Sequence, residues 1–309
     1  MAAVSAPQQT AQPVRRLRTV SIRRKNHIRR DELSILGTLL LVAFAIVMFI
    51  PFVLLFGHAF MTYAELFHYP PIIIPYQWTT ENFAQLVLAL SGLSVPFSRY
   101  VFNSLLVTVS VVFGVVMIAT IAAYPLSKMR RMPGRGILWF LIIASLMYAG
   151  PATNIPRYLI VTHLHLINTY WALILPSVVS SFGLFLMRQF VDAIPDDIIE
   201  AAKIDGASDW RILFQIIYPA TQPAWATLVL LTFIGVWNDA ATSQLYLQNQ
   251  ARKTLPVAFN TIGAAGTNQI AFAGAMAAAA VVMALPPIIL FLAAQSRVIR
   301  TMAFAGMKG

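Results

Sequence analysis

Residues 100–127 read YVFNSLLVTVSVVFGVVMIATIAAYPLS, 28 positions without a single Asp, Glu, Lys or Arg. At a rise of about 1.5 Å per residue, an α-helix of that length outreaches the roughly 30 Å hydrocarbon core of a bilayer. A helix that is apolar on every side over such a distance is a membrane span rather than a face of a soluble core. Five further charge-free windows lie along the chain: Leu33–Gly57, Gly136–Pro156, Asn168–Met187, Pro219–Asn238 and Ile270–Gln295. Lipid offers backbone amides no partner, so runs of this length must satisfy their hydrogen bonds internally, as helices. The expected fold is all-α, a polytopic membrane protein with six transmembrane helices.

Composition points the same way. Of 309 residues, 59% are hydrophobic and 11% charged, against roughly 45–50% and 25% in a soluble domain. With no cysteine, a disulfide framework, thiol catalysis and cysteine-ligated metals are excluded. The net charge of +11 raises the question of nucleic acid, and its placement answers it. Eighteen of the 22 Lys and Arg residues fall before the first window, between the second and third, between the fourth and fifth, or after the sixth. Arg99, Arg157, Arg252 and Lys253 are the exceptions. Positive charge concentrates on cytoplasmic loops, so both termini are expected in the cytoplasm, and no nucleic-acid partner is expected. Residues 1–32, rich in Gln, Pro and Arg, read as a disordered basic tail, 33–295 as the six-helix membrane domain, and 296–309 as a cytoplasmic C-terminal tail. Leu33 opens a full-length span, so no cleavable signal peptide is expected.

The carboxylates are few and clustered. Six of 11, Asp192, Asp196, Asp197, Glu200, Asp205 and Asp209, lie in one predicted cytoplasmic loop, residues 191–219. Pro195 suits a helix's first turn, and Asp196 and Asp197 favour its positive end, so a short helix is expected from Pro195 to Ile204. Gly206 can take the left-handed conformation that ends it. Ser208 can cap a second, amphipathic helix carrying Leu213, Ile216 and Ile217, which Pro219 should interrupt at the membrane surface. Ala201 and Ala202 would let another protein's surface approach the backbone, with Glu200 beside them as one charge for a basic group. The plainer alternative is a connector whose acids are merely hydrated.

These residues resemble a known family. Glu200-Ala201-Ala202, Asp205-Gly206-Ala207, Phe214, Ile217, Pro219 and Pro223 are similar to the E-A-A-x-x-D-G-A…P loop of ATP-binding-cassette importer permeases. Asn103-Ser104-Leu105-Leu106, the run Asn168–Pro176, Arg188-Gln189-Phe190, Trp237-Asn238-Asp239, Thr254-Leu255-Pro256 and the terminal Gly306–Gly309 resemble the maltose-type carbohydrate permeases, over residues 33–309. Two departures are Tyr218, where a Leu usually precedes the Pro, and the segment after Asp239, which lacks the usual Phe-Leu-Trp run. The resemblance implies that 191–219 forms coupling helices seated in a cytoplasmic ATPase. Glu200, Ala201, Ala202, Asp205, Gly206, Ala207 and Pro219 would carry that contact, with Lys308 and Gly309 reaching the ATPase interface. It also implies a bacterial inner-membrane location, a second homologous permease subunit, an extracytoplasmic solute-binding protein and alternating access driven by ATP. The chain has no G-x-x-x-x-G-K-[ST] loop, so it is expected to bind no cofactor itself; ATP and Mg belong to the partner ATPase.

Candidates for the substrate pathway are Tyr148, Asn154, Tyr170, Trp237 and Asn238, aromatic and amide groups of the kind that stack on and hydrogen-bond to sugars. The same side chains serve equally as interfacial anchors or helix-packing contacts. Gly263, Gly266, Gly274 and the run Ala275–Ala280 read as close helix packing. His163 and His165 have the wrong spacing for one helix face and no carboxylate nearby, so no metal site is expected. Three other functions compete with an ATP-driven permease. An ion-coupled secondary transporter without an ATPase partner usually keeps ionisable groups inside its spans, which this sequence lacks. An intramembrane enzyme needs a nucleophile with its base or paired carboxylates, and none stands out. The last is a non-transporting scaffold.

Overall fold

The computed structural model describes residues 28–91, 95–129, 132–148, 150–263 and 272–306. Among them there are helices and no strand. The first four helices are α1 (Ile28–Phe60), α2 (Tyr63–Leu66), α3 (Glu81–Ser91) and α4 (Phe97–Lys128). They are followed by α5 (Arg135–Leu146), α6 (Gly150–His163), α7 (Trp171–Val178), α8 (Ser181–Asp192) and α9 (Asp196–Ile204). Next come α10 (Asp209–Ile212), a π-helical turn (Leu213–Ile217), α11 (Tyr218–Ala220) and α12 (Gln222–Trp237). The chain closes with α13 (Ala240–Tyr246), α14 (Leu255–Gly263) and α15 (Ala273–Gly306).

The chain divides at Pro51, inside α1, into two compact units. The first, as far as it is described, is the stretch of α1 up to Pro51, whose side chains from Thr38 to Ile50 are exposed. α1 begins at Ile28, within the segment read as tail; residues 1–27 lie outside the described residues.

The second unit is organised around α4. Val107, Val111, Val115, Ala119 and Ala123 recur every fourth residue and are buried, a stripe that packs against α7, α8 and α12. Gly114 lets α7 approach, because a Cβ there would lie 2.5 Å from Val178 Cγ1. α12 in turn packs on α15 and α15 on α3. At that seam Ala275, Ala278 and Ala279 are buried, and a Cβ at Gly274 would fall on the Asn82 side chain. The small residues read as packing positions therefore include Gly274; Gly266 lies outside the described residues. Asn82 spans from α3 to the end of α1, donating to the carbonyls of Ala59 at 3.0 Å and Met61 at 2.8 Å.

Among the described residues four helical segments are long and apolar enough to cross a membrane: Gly37–Phe60, Phe97–Lys128, Trp171–Asp192 and Ala273–Ser296. Asp209–Ala220 and Gln222–Trp237 together form a fifth, bent by 75°. The expected third span, Gly136–Pro156, is instead divided between α5, which ends at Leu146, and α6, which starts at Gly150 and runs to His163. Pro151 has no N–H to donate to the Met147 carbonyl and is tolerated in a helix's first turn, so a new helix starts there rather than α5 continuing through it. Charge-free length detects immersion in lipid, not continuity of the helix, and α6 continues past Arg157, where the window ended.

The second correction concerns Pro219. The helix passes through it to Ala220, and the corner falls at Thr221. The π-turn Leu213–Ile217 sits just before the proline, with the Tyr218 N–H reaching back to the Leu213 carbonyl. That widened turn gives room for a residue that cannot donate to the preceding turn. Thr221 Oγ1 then donates to the Ile217 carbonyl at 2.9 Å, closing the corner.

Candidate functional site

The acidic loop folds as two short helices joined by a left-handed glycine. Asp196 and Asp197 occupy the first turn of α9 and Lys203 its last, each matched to the helix dipole. Gly206 has φ +77°. Its N–H donates to the Lys203 carbonyl at 3.1 Å, and the Ala207 N–H to the Ala202 carbonyl at 2.9 Å. That double closure is a Schellman motif, which a side chain at a left-handed position would strain. Ser208 caps α10, its side chain accepting from the Arg211 N–H at 3.3 Å.

The inner face of this hairpin is apolar: Ile199, Ile212, Leu213 and Ile217 are buried, with Ala202, Ala207 and Ile216 packed against the same cluster. The outer face presents Glu200, Ala201, Asp205 and Gly206. The small pair therefore splits, Ala201 facing out and Ala202 in. Three apolar residues that the sequence reading did not single out for this surface accompany them: Ile198, Ile204 at 87% exposure and Trp210 at 62%. Trp210 stacks on Phe214 with ring centroids 6.1 Å apart. Ile204, set immediately before Asp205-Gly206 and off the buried stripe, was the available signal. Pro219 is exposed behind this surface, and Lys308 and Gly309 lie outside the described residues. The acids divide too. Asp192, Asp196 and Asp209 bond to side chains of α4, whereas Asp197, Glu200 and Asp205 face outward.

The five candidates for the substrate pathway stand in different settings. Tyr148 and Asn154 are exposed near the α5–α6 break. Tyr170 Oη donates to Asn103 Oδ1 at 2.7 Å, and Asn103 Nδ2 donates to the carbonyls of Ala251 and Lys253, each at 2.9 Å. Trp237 is buried, with Nε1 donating to the Met283 carbonyl at 3.0 Å. Asn238 bonds back to the Ile234 carbonyl of its own helix at 2.8 Å. Tyr170 and Trp237 thus spend their polar atoms inside the protein. The Asn103 contacts belong to a wider set that ties the 247–255 segment to the start of α4 and to the turn before α7. Arg252 donates to the Asn168 carbonyl, and Ser104 Oγ accepts from the Leu255 N–H at 2.7 Å. Nearby, Tyr246 stacks on Tyr158, and burial pushes its phenol above the ordinary range. Among the described residues no group of three or more His, Asp or Glu side chains could hold a metal.

A helical membrane protein with a folded, partly apolar loop at one end of its spans is the class that fold and site define together. Residues 20–303 match the family of binding-protein-dependent transport system inner membrane components, and the chain belongs to that family. It is 32% identical to the polygalacturonan/rhamnogalacturonan transport system permease protein YtcP of Bacillus subtilis, over 76% of this chain and 78% of that one. It is 27% identical to the diacetylchitobiose uptake system permease protein NgcG of Streptomyces coelicolor, over 84% of each chain. The fold is that of a solved bacterial ABC transporter involved in the import of the acidic polysaccharide alginate, at a TM-score of 0.73 and 24% identity over 88% of this chain and 98% of that one. The protein is therefore a multi-pass inner-membrane transport component and not an enzyme.

Proposed function

We propose that this chain is the permease subunit of a carbohydrate importer and that residues 191–219 couple it to ATP hydrolysis in a cytoplasmic ATPase dimer. The observation that carries this reading is the outer face of the loop, where Ile204 and Trp210 stand exposed beside Glu200, Ala201 and Gly206. Apolar side chains presented to water on a folded hairpin, with Glu200 among three outward-facing carboxylates, suit a protein cleft with a basic group inside it. Both termini then lie in the cytoplasm, a second homologous permease completes the pathway, and an extracytoplasmic binding protein delivers solute. Closure of the ATPases carries the paired loops together and opens the cavity outward; their separation returns it inward. Carbohydrate as cargo is supported by the polygalacturonan and diacetylchitobiose systems among its relatives.

Reconstitution of Glu200→Ala and Gly206→Leu with the partner ATPase and binding protein tests the coupling role. A carboxylate paired on docking leaves its partner charge stranded when removed, weakening docking by about 3 kcal/mol. A β-carbon at φ +77° strains the turn by about 1–2 kcal/mol. Both variants should lose solute transport and solute-stimulated ATP hydrolysis together. Unchanged rates in both would refute the reading, and uptake that persists without any ATPase would favour an ion-coupled transporter.

A further inference from the structure

Three of the six clustered acids face α4, and each is met there by a different side chain. Tyr124 Oη donates to Asp209 Oδ1 at 2.8 Å. Ser127 Oγ donates to Asp192 Oδ1 at 2.5 Å. Lys128 Nζ donates to Asp196 Oδ1 at 2.7 Å and to the Ile194 carbonyl at 2.5 Å. Tyr124 and Lys128 are four residues apart, so they share one face of the helix, with Ser127 beside them. Their three partners come from the end of α8, the start of α9 and the start of α10. One helix end therefore grips the acidic loop at its entry, its first turn and its second helix.

The grip is partly dry. Tyr124 is buried, and the Lys128 side chain is 7% exposed. Charge-assisted bonds with one partner withdrawn from water are stronger than surface ion pairs. Two neighbours brace it. Arg135 Nη2 donates to the Ser127 carbonyl at 3.0 Å, and the Arg188 guanidinium lies 3.6 Å over the Trp139 ring, with Nε 3.4 Å from Asp192 Oδ2. Lys203 Nζ, across α9, stands 3.8 Å from Asp209.

We propose that Tyr124, Ser127 and Lys128 form a clasp that makes the acidic loop and α4 one rigid body, so that displacement of the loop is transmitted to α4. The clasp selects the helix with the widest reach in the unit, since α4 packs against α7, α8, α12 and α14. Without it the loop stays joined covalently to α8 and α12 and keeps its apolar floor, but its motion reaches α4 only through compliant contacts. The three residues are positioning residues. They face away from the exposed surface that Glu200 shares, so their loss separates transport from hydrolysis rather than abolishing docking. The proposal rests on the coupling role given to the loop above.

The test uses the complete transporter in proteoliposomes, with solute translocated per ATP hydrolysed as the readout. Tyr124→Phe, Lys128→Glu and Asp196→Lys are compared with the exchanged pair Lys128→Glu/Asp196→Lys, all checked for intact assembly. The singles should keep stimulated ATP hydrolysis while transport per ATP falls about tenfold, the scale of an ordinary coupling free energy. The exchanged pair should recover most of the ratio, which a merely structural lesion would not do. Tyr124→Phe keeps the ring and so tests the hydroxyl without a packing defect. An unchanged ratio in the singles would overturn the clasp, as would an exchanged pair no better than they are. Loss of stimulated hydrolysis in the Lys128 variant would also overturn it, by making that residue part of docking. Failure of the Glu200 and Gly206 variants to affect hydrolysis refutes the docking reading instead, and the two failures are told apart by which set of variants is silent.

Discussion

Asn103 holds the outer side of α4 to two distant segments through one carboxamide. It donates to Ala251 and Lys253 and accepts from Tyr170, and it is fully buried. Replacing it with leucine leaves two carbonyls and a phenol without their partner, and unsatisfied buried groups cost about 1–3 kcal/mol each. Asn103→Leu should therefore lower the melting temperature of the detergent-solubilised protein by several degrees, and an unchanged melt would mean that water replaces the amide. At this scale the sequence was most legible where local chemistry decides. Gly206 was read as left-handed and has φ +77°, and Ser208 was read as a cap and accepts from Arg211, because both properties depend on residues within one turn. The division of six acids into three that grip α4 and three that face outward depends on an element more than 60 residues away, and no local pattern encodes it. The same holds for Tyr170 and Trp237, whose polar atoms look available in the sequence and are bonded internally in the fold.

At the scale of elements, close approach of α4 and α7 depends on a missing side chain. An alanine at Gly114 would place Cβ 2.5 Å from Val178 Cγ1, and overpacking of that kind costs about 1–3 kcal/mol. Gly114→Ala should destabilise the folded protein by that order, and Val178→Ala in the same chain should restore most of it. Full additivity of the two substitutions would show that the helices do not meet there. Span positions were legible because lipid excludes charge, a property summed over some twenty residues. Helix continuity was not, because it turns on single residues: Pro151 divides the third window between α5 and α6, and the π-turn before Pro219 carries the helix through a residue that looked like its end. The amphipathic stripe was right in kind and shifted in detail, with Ile212 buried beside Leu213 and Ile217 while Ile216 is only half-buried.

For the whole molecule, the proposed topology, argued from the bias of basic residues, puts the hairpin surface in the cytoplasm and Tyr76, between α2 and α3, outside. The chain has no cysteine, so single substitutions report without background. Tyr76 and Ile204 are 80% and 87% exposed and make suitable sites. A membrane-impermeant maleimide should label Tyr76→Cys in right-side-out vesicles and Ile204→Cys only in inside-out vesicles; the reverse pattern would invert the topology. The Ile204→Cys protein then tests the central claim, that the acidic hairpin is where a cytoplasmic ATPase seats. Its labelling rate is measured in inside-out vesicles with and without the co-expressed ATPase. Seating predicts strong protection at Ile204→Cys only when the ATPase is present, and equal labelling in both preparations, with the ATPase confirmed to be bound, would contradict it.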